Sequence, residues 1–167
     1  MLLITELHHL SNPDAALSCD INPLVGCGSS LMTWQAHLLG FPNSAIGLAA
    51  FSALATAAVL LATGSTVTRL AWRVIAIGAV GGLGMVAFFV TTSVTGLGAL
   101  CPYCMVIWSM TMIIASIAIP QALTLDVDDA MRRLVMRYTW AYAVAAHLIV
   151  IIIVVVMKAD VIATVLS

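Results

Sequence analysis

Charged residues are scarce in this chain, and their scarcity distinguishes it from a soluble protein. Only 8% of the 167 residues are Asp, Glu, Lys or Arg, whereas soluble domains carry roughly 25%. The formal net charge is −1, so the chain has no basic surface for nucleic acid. The first ten residues contain Glu6 and lack Lys and Arg, which argues against a signal peptide. With 63% hydrophobic residues, the composition indicates an integral membrane protein.

Four segments are apolar and long enough to cross a bilayer, which takes about 20 residues. They contain no Asp, Glu, Lys or Arg, and they are Pro42–Thr63, Val74–Thr92, Pro102–Ile119 and Tyr138–Met157. A fifth segment, Met1–Leu10, is too short to cross alone and is expected to be the outer end of a truncated first helix. The sequence therefore predicts an all-α integral membrane fold with four full transmembrane helices plus that truncated first helix. We expect a single domain over residues 1–167, with an outer loop at 11–41 and a helical bundle at 42–157.

The positive charges predict the orientation of these helices, because cytoplasmic loops are enriched in Lys and Arg. The loop between the first and second full spans carries Arg69 and Arg73, and the loop between the third and fourth carries Arg132, Arg133 and Arg137. Both loops are therefore expected in the cytoplasm. All four cysteines then lie at the outer face, where disulfides persist.

Cys101-Pro102-Tyr103-Cys104 is a CxxC motif at the mouth of the third full span. Two intervening residues let such a pair of thiols close into a disulfide and open again. Proline favours the first helical position, which predicts Cys101 at the helix cap and Cys104 in the first turn, where the helix dipole favours a thiolate. A redox pair is the favoured interpretation. The alternatives are an inert buried thiol pair and a metal-ligand pair, although zinc usually requires four Cys or His ligands.

Cys19 and Cys27 lie in the polar outer loop, with seven residues between them. Taken alone, this pair is typical of a structural disulfide. Beside a CxxC motif in the same compartment, thiol–disulfide exchange becomes the competing interpretation, because disulfides exchange by thiolate attack through a mixed disulfide.

Several other residues have both a structural and a functional interpretation. Asn43 and Ser44 cap the first full span or donate hydrogen bonds to a ligand carbonyl in an apolar pocket. Trp108 lies one turn after Cys104 and is either core packing or an aromatic wall for a planar ligand. His147 lies in the middle of a span, where it is expected to bond a neighbouring helix and a functional role is the alternative. His37 is expected at the membrane interface.

Three motifs together resemble the bacterial branch of the vitamin K epoxide reductase family. They are Cys-Asp-Ile-Asn-Pro-Leu-Val-Gly-Cys at Cys19–Cys27, Phe-Pro-Asn-Ser at Phe41–Ser44 and Cys-Pro-Tyr-Cys at Cys101–Cys104. The resemblance covers about Asp14 to Pro120. It implies a helical bundle that encloses a quinone, either menaquinone or ubiquinone, in a bacterial plasma membrane.

The resemblance also implies roles for individual residues. Cys19 and Cys27 become the shuttle pair, which accepts electrons from a thioredoxin-fold oxidase of the DsbA type. Cys27 then reduces the helix pair, with Cys101 as its partner and Cys104 facing the quinone. Asn43 and Trp108 match positions that contact the quinone in the family, and Ser44, whose hydroxyl lies next to Asn43 in sequence, is a further candidate contact.

The chain departs from the family pattern at both ends. Most of the family's first helix is absent, and no thioredoxin domain follows the last span, so a separate DsbA-like protein is expected as the partner. Two rival functions remain: reduction of a quinone epoxide, and a non-catalytic membrane scaffold with a structural disulfide.

Overall fold

The computed structural model describes residues 2–12, 25–27, 33–38, 40–97 and 100–159. Within these ranges the regular structure is helical, with one isolated β-bridge. A 3₁₀ helix covers Trp34–His37, and a π-helical turn covers Ser93–Leu97. The α-helices are α1 (Leu2–Ser11), α2 (Asn43–Ala62), α3 (Arg69–Thr92), α4 (Pro102–Leu123), α5 (Asp129–Arg137) and α6 (Thr139–Met157).

Four stretches are long and apolar enough to cross a membrane, and they contain α2, α3, α4 and α6. This finding confirms the four predicted spans, and the ten-residue α1 confirms a short first helix. In the described part of the chain, α2 and α6 contain no buried residue. Such helices, apolar on all sides, are suited to contact with lipid rather than water.

Two helices extend further than their apolar runs predicted. α3 begins at Arg69 instead of Val74, because the Thr68 hydroxyl accepts a hydrogen bond from the Ala71 amide at 3.2 Å and caps the helix. α4 continues past Ile119 to Leu123 and includes Pro120. Arginine side chains can extend from a helix end to the membrane interface. A helix can therefore include charged residues beyond the end of its apolar segment.

The described chain forms two compact units, each assembled from two stretches of sequence. One unit comprises 1–67 and 97–103, and the other comprises 68–96 and 104–167. The prediction of a single domain over 1–167 remains a prediction.

In the second unit, α3 and α4 pack through small residues. Ala79, Ala115 and Ala118 form a buried cluster. A Cβ atom added at Gly82 would lie 2.9 Å from Cγ2 of Thr111, whereas one added at Gly78 would meet nothing within 4 Å. Of the two glycines, only Gly82 is therefore required for close approach of the helices.

An ion-pair cluster joins the beginning of α3 to the loop that follows α4, both in the second unit. Asp126 accepts from Arg69 at 2.8 Å and from Arg73 at 2.9 Å. These residues are more than half exposed, so the pairs add little stability. The contact places the beginning of α3 beside the loop that follows α4, as expected for two loops on one side of a membrane.

Candidate functional site: a disulfide and a thiol in contact

A backbone bridge brings the outer loop to the CxxC motif. Val25 forms a parallel bridge with Leu100, and the Gly26 amide donates a hydrogen bond to the Leu100 carbonyl at 3.1 Å. Cys27 follows Gly26, and Cys101 follows Leu100. Since the bridge aligns the two segments in register, the two cysteines become neighbours although they are 74 positions apart.

The sulfur atoms of Cys27 and Cys101 are 3.6 Å apart. The Cys101 thiol donates towards the Cys27 sulfur, and the two side chains are the most completely buried in the described chain, with 1% and 0% of their surface exposed. Cys27 is in a disulfide, whereas Cys101 and Cys104 are not. Cys19 lies outside the described residues. A sulfur atom in van der Waals contact with a disulfide is the arrangement that thiol–disulfide exchange requires.

The helix that carries the CxxC motif begins where the sequence predicted. Pro102 is the first residue of α4, so Cys101 immediately precedes the helix and Cys104 lies in its first turn. The unpaired amides at this end of the helix favour a negatively charged sulfur. Cys104 is half-buried.

Asn43 does not cap its helix, and this prediction was wrong. Pro42 occupies the cap position of α2, and its side chain makes no capping hydrogen bond. The Asn43 side chain reaches back instead, and its Nδ2 donates to the Gln35 backbone carbonyl at 2.6 Å. A carbonyl oxygen can only accept, so this bond fixes the amide with Oδ1 pointing away from it.

Two buried oxygen atoms near this bond lack a donor. They are Oδ1 of Asn43 and Oε1 of Gln35, and neither has a hydrogen-bond partner among the described residues. A buried acceptor without a donor costs about 1–3 kcal/mol. Such groups are therefore expected to receive a hydrogen bond from a ligand or from water. The sequence analysis missed Gln35, because its backbone contact leaves no signature in the side-chain pattern.

The remaining predicted residues lie in the helices as expected. Ser44 follows Asn43 in the first turn of α2 and is half-buried. Trp108 is 5% exposed and lies one turn after Cys104 in α4. A quinone contact by Ser44 or Trp108 remains a prediction. His147 donates from Nδ1 to the Ala143 carbonyl of its own helix at 2.7 Å, so the expected bond to a neighbouring helix is not the one formed by this nitrogen.

A model of the vitamin K epoxide reductase family matches residues 1–119. The matched segment contains the four cysteines, Asn43 and the bridge between Val25 and Leu100. No curated protein and no solved structure matches the chain. Because the match covers most of the sequence, this four-span membrane protein belongs to the vitamin K epoxide reductase family.

Proposed function

We propose that this membrane oxidoreductase passes electrons from an extracytoplasmic, DsbA-like thiol oxidase to a membrane quinone and so supports disulfide bond formation. The observation that carries the proposal is the 3.6 Å contact between the disulfide-bonded Cys27 and the Cys101 sulfur. The contact joins the outer loop to the CxxC motif, and a scaffold with only a structural disulfide has no need of it.

The first transfer takes place between the two cysteine pairs. The Cys27 thiolate attacks the Cys101 sulfur, the Cys101–Cys104 bond breaks, and Cys104 leaves as a thiolate. The Cys19 thiolate then attacks Cys27 and releases Cys101. The loop pair is oxidised to a disulfide, the helix pair is reduced to two thiols, and two electrons have moved inward.

The disulfide at Cys27, in contact with the Cys101 sulfur, supports an exchange between the two pairs. Cys27 is in a disulfide, and Cys101 and Cys104 are not. Under this proposal, Cys19 is the disulfide partner of Cys27. The next event is re-oxidation of Cys101 and Cys104, and the DsbA-like partner then reduces the loop pair again.

A quinone is the proposed acceptor, and it takes up two electrons and two protons when the helix pair is re-oxidised. Asn43, Ser44 and Trp108 are the proposed contacts to it. The buried Oδ1 of Asn43 has no donor in the described part of the chain, and a reduced quinone would supply hydroxyl donors that fit such an acceptor. The second hydrogen on Nδ2 is suited to a quinone carbonyl.

The proposed location is a bacterial plasma membrane, with the cysteines at the outer face. The arginine-rich loops support this orientation. The ion pairs from Asp126 to Arg69 and Arg73 support the requirement that those loops share one side.

Quinone reduction measured with two electron donors tests the proposal. Cys19→Ala should abolish turnover with a reduced DsbA-like protein, because the loop pair no longer forms. It should spare turnover with a small dithiol that reduces the Cys101–Cys104 disulfide directly. Equal loss with both donors contradicts the relay. If a quinone epoxide is consumed and a quinone is not, the epoxide reductase activity is the correct one.

A further inference from the structure

A short helix between the third and fourth spans has an apolar face and a cluster of arginines that have no role in the proposed electron transfer. α5 has nine residues, which at about 1.5 Å per residue make it about 13 Å long. Its residues separate into two faces at 100° per residue. The apolar face consists of Ala130, Met131, Leu134 and Val135, and the polar face consists of Asp129, Arg132, Arg133, Met136 and Arg137.

The apolar face of α5 is not covered by the described part of the chain. No residue of this helix is buried. Met131 is 48% exposed and Leu134 is 51% exposed. Apolar side chains aligned on one face of an otherwise charged helix are typical of a helix whose apolar face meets a non-aqueous environment.

The covalent connection of α5 identifies that environment. The helix ends at Arg137, and the membrane-spanning α6 begins two residues later at Thr139. Tyr138 and Trp140 at this junction are 47% and 67% exposed. Exposed Tyr and Trp at the end of a span are typical of the headgroup level of a bilayer. α5 therefore joins its span at the membrane interface, where its apolar face can enter the lipid.

The charges of α5 are arranged for anionic head groups. Its acidic residue, Asp129, lies in the first turn, where the helix dipole favours it, and the three arginines lie further along the helix. Among the described residues, no carboxylate lies within salt-bridge distance of Arg132, Arg133 or Arg137, while Asp126 is occupied by Arg69 and Arg73. A guanidinium group binds phosphate oxygens in a bidentate manner.

We propose that α5 is an interfacial helix that binds anionic phospholipids through Arg132, Arg133 and Arg137, with Met131 and Leu134 buried at the boundary of the acyl chains. The proposal is independent of the redox reaction. An arginine near an anionic surface strengthens binding about fivefold, so the three arginines together favour anionic over neutral lipid.

Lipid competition on the full-length protein tests this proposal. The protein is equilibrated in mixed micelles that contain equal amounts of phosphatidylglycerol and phosphatidylcholine, and the retained lipids are quantified by mass spectrometry. Wild type should retain more phosphatidylglycerol. Arg132→Gln/Arg133→Gln should lower the ratio by about fivefold or more, and the charge-conserving control Arg132→Lys/Arg133→Lys should preserve it. Equal retention by wild type, or an unchanged ratio in the glutamine variant, overturns the proposal.

The apolar face has its own test in the same assay. Met131→Ser/Leu134→Ser should reduce retention of both lipids while the ratio stays the same, because apolar burial does not depend on the head group. Unchanged retention would contradict burial of this face. If the glutamine variant fails to fold, wild type is compared at about 0.1 M and about 1 M salt, between which the Debye length falls from about 10 to about 3 Å. A ratio that does not fall with salt rejects the arginine–phosphate contact.

Discussion

Replacing Cys104 by serine should trap the exchange between the two cysteine pairs. Cys19 is the other thiol that releases Cys101 from Cys27, so every variant of this test also carries Cys19→Ser. No thiol then remains to break a Cys27–Cys101 disulfide, which should accumulate under oxidising conditions. The two sulfur atoms are already 3.6 Å apart, and a disulfide bond is about 2.05 Å long. An approach of about 1.6 Å, within one compact unit of the chain, is therefore sufficient.

The backbone bridge determines how much of the protein should form the Cys27–Cys101 cross-link. The hydrogen bond from the Gly26 amide to the Leu100 carbonyl, at 3.1 Å, holds the two cysteine segments together. Such a bond contributes about 0.5–1.5 kcal/mol, and 1 kcal/mol corresponds to about a fivefold change in an equilibrium ratio. Adding Gly26→Pro to Cys104→Ser removes the amide donor and should lower the ratio of cross-linked to uncross-linked protein about fivefold. Gly26→Ala keeps the donor and is the matched control.

Peptide mapping of the non-reduced protein by mass spectrometry measures the cross-link. The expected product joins the peptide around Cys27 to the peptide around Cys101, and Cys101→Ser provides the sample in which this product cannot form. The reasoning is refuted if Cys101 remains a thiol in Cys104→Ser while oxidant and partner are supplied. An equal decrease of the cross-linked fraction in the proline and alanine variants would refute only the role of the Gly26 hydrogen bond, and not the exchange itself.

Three other predictions concern the acceptor site, the helix packing and the topology. Asn43→Leu removes a polar contact worth about 1 kcal/mol, so the KM for quinone should rise about fivefold while Cys27–Cys101 cross-linking is unaffected; an unchanged KM would exclude this contact. Gly82→Ala should lower the unfolding free energy by about 1–3 kcal/mol, because the new Cβ meets a threonine methyl at 2.9 Å. Gly78→Ala, which faces open space, should not destabilise the protein, and equal losses in the two variants would contradict the packing argument. In intact cells, a cysteine introduced at Thr68 should be shielded from an impermeant thiol reagent and one at Thr95 should be labelled, whereas the reverse pattern would invert the orientation.

The helices could be predicted well from the sequence because each depends on local chemistry. A bilayer leaves no water for backbone polar groups, so a long apolar run must form a helix whatever its neighbours are. The same reasoning placed the start of α4 at Pro102, because proline cannot donate the amide that the first helical position leaves unused. The start of α3 was harder to predict. Thr68 caps the helix before Arg69, so the helix includes charged residues that a hydropathy criterion leaves outside the predicted span.

The amide of Asn43 shows where this reasoning fails. Asparagine next to the start of a helix favours a cap, and that local preference predicted the wrong contact. The side chain bonds the backbone carbonyl of Gln35, eight positions earlier. Every residue has a backbone carbonyl, so the identity of Gln35 contains no signal for this bond.

The sequence alone determined the membrane class, the four spans and the CxxC motif at the start of α4, because apolar length and the CxxC spacing act over a few neighbouring residues. The family resemblance implied Cys101 as the partner of Cys27, but only the tertiary structure showed how the two segments are brought into contact. The contact between Cys27 and Cys101 spans 74 positions and depends on a bridge between Val25 and Leu100. Backbone hydrogen bonds between distant segments are made by atoms that every residue shares, so the pairing emerges only when the whole chain is folded.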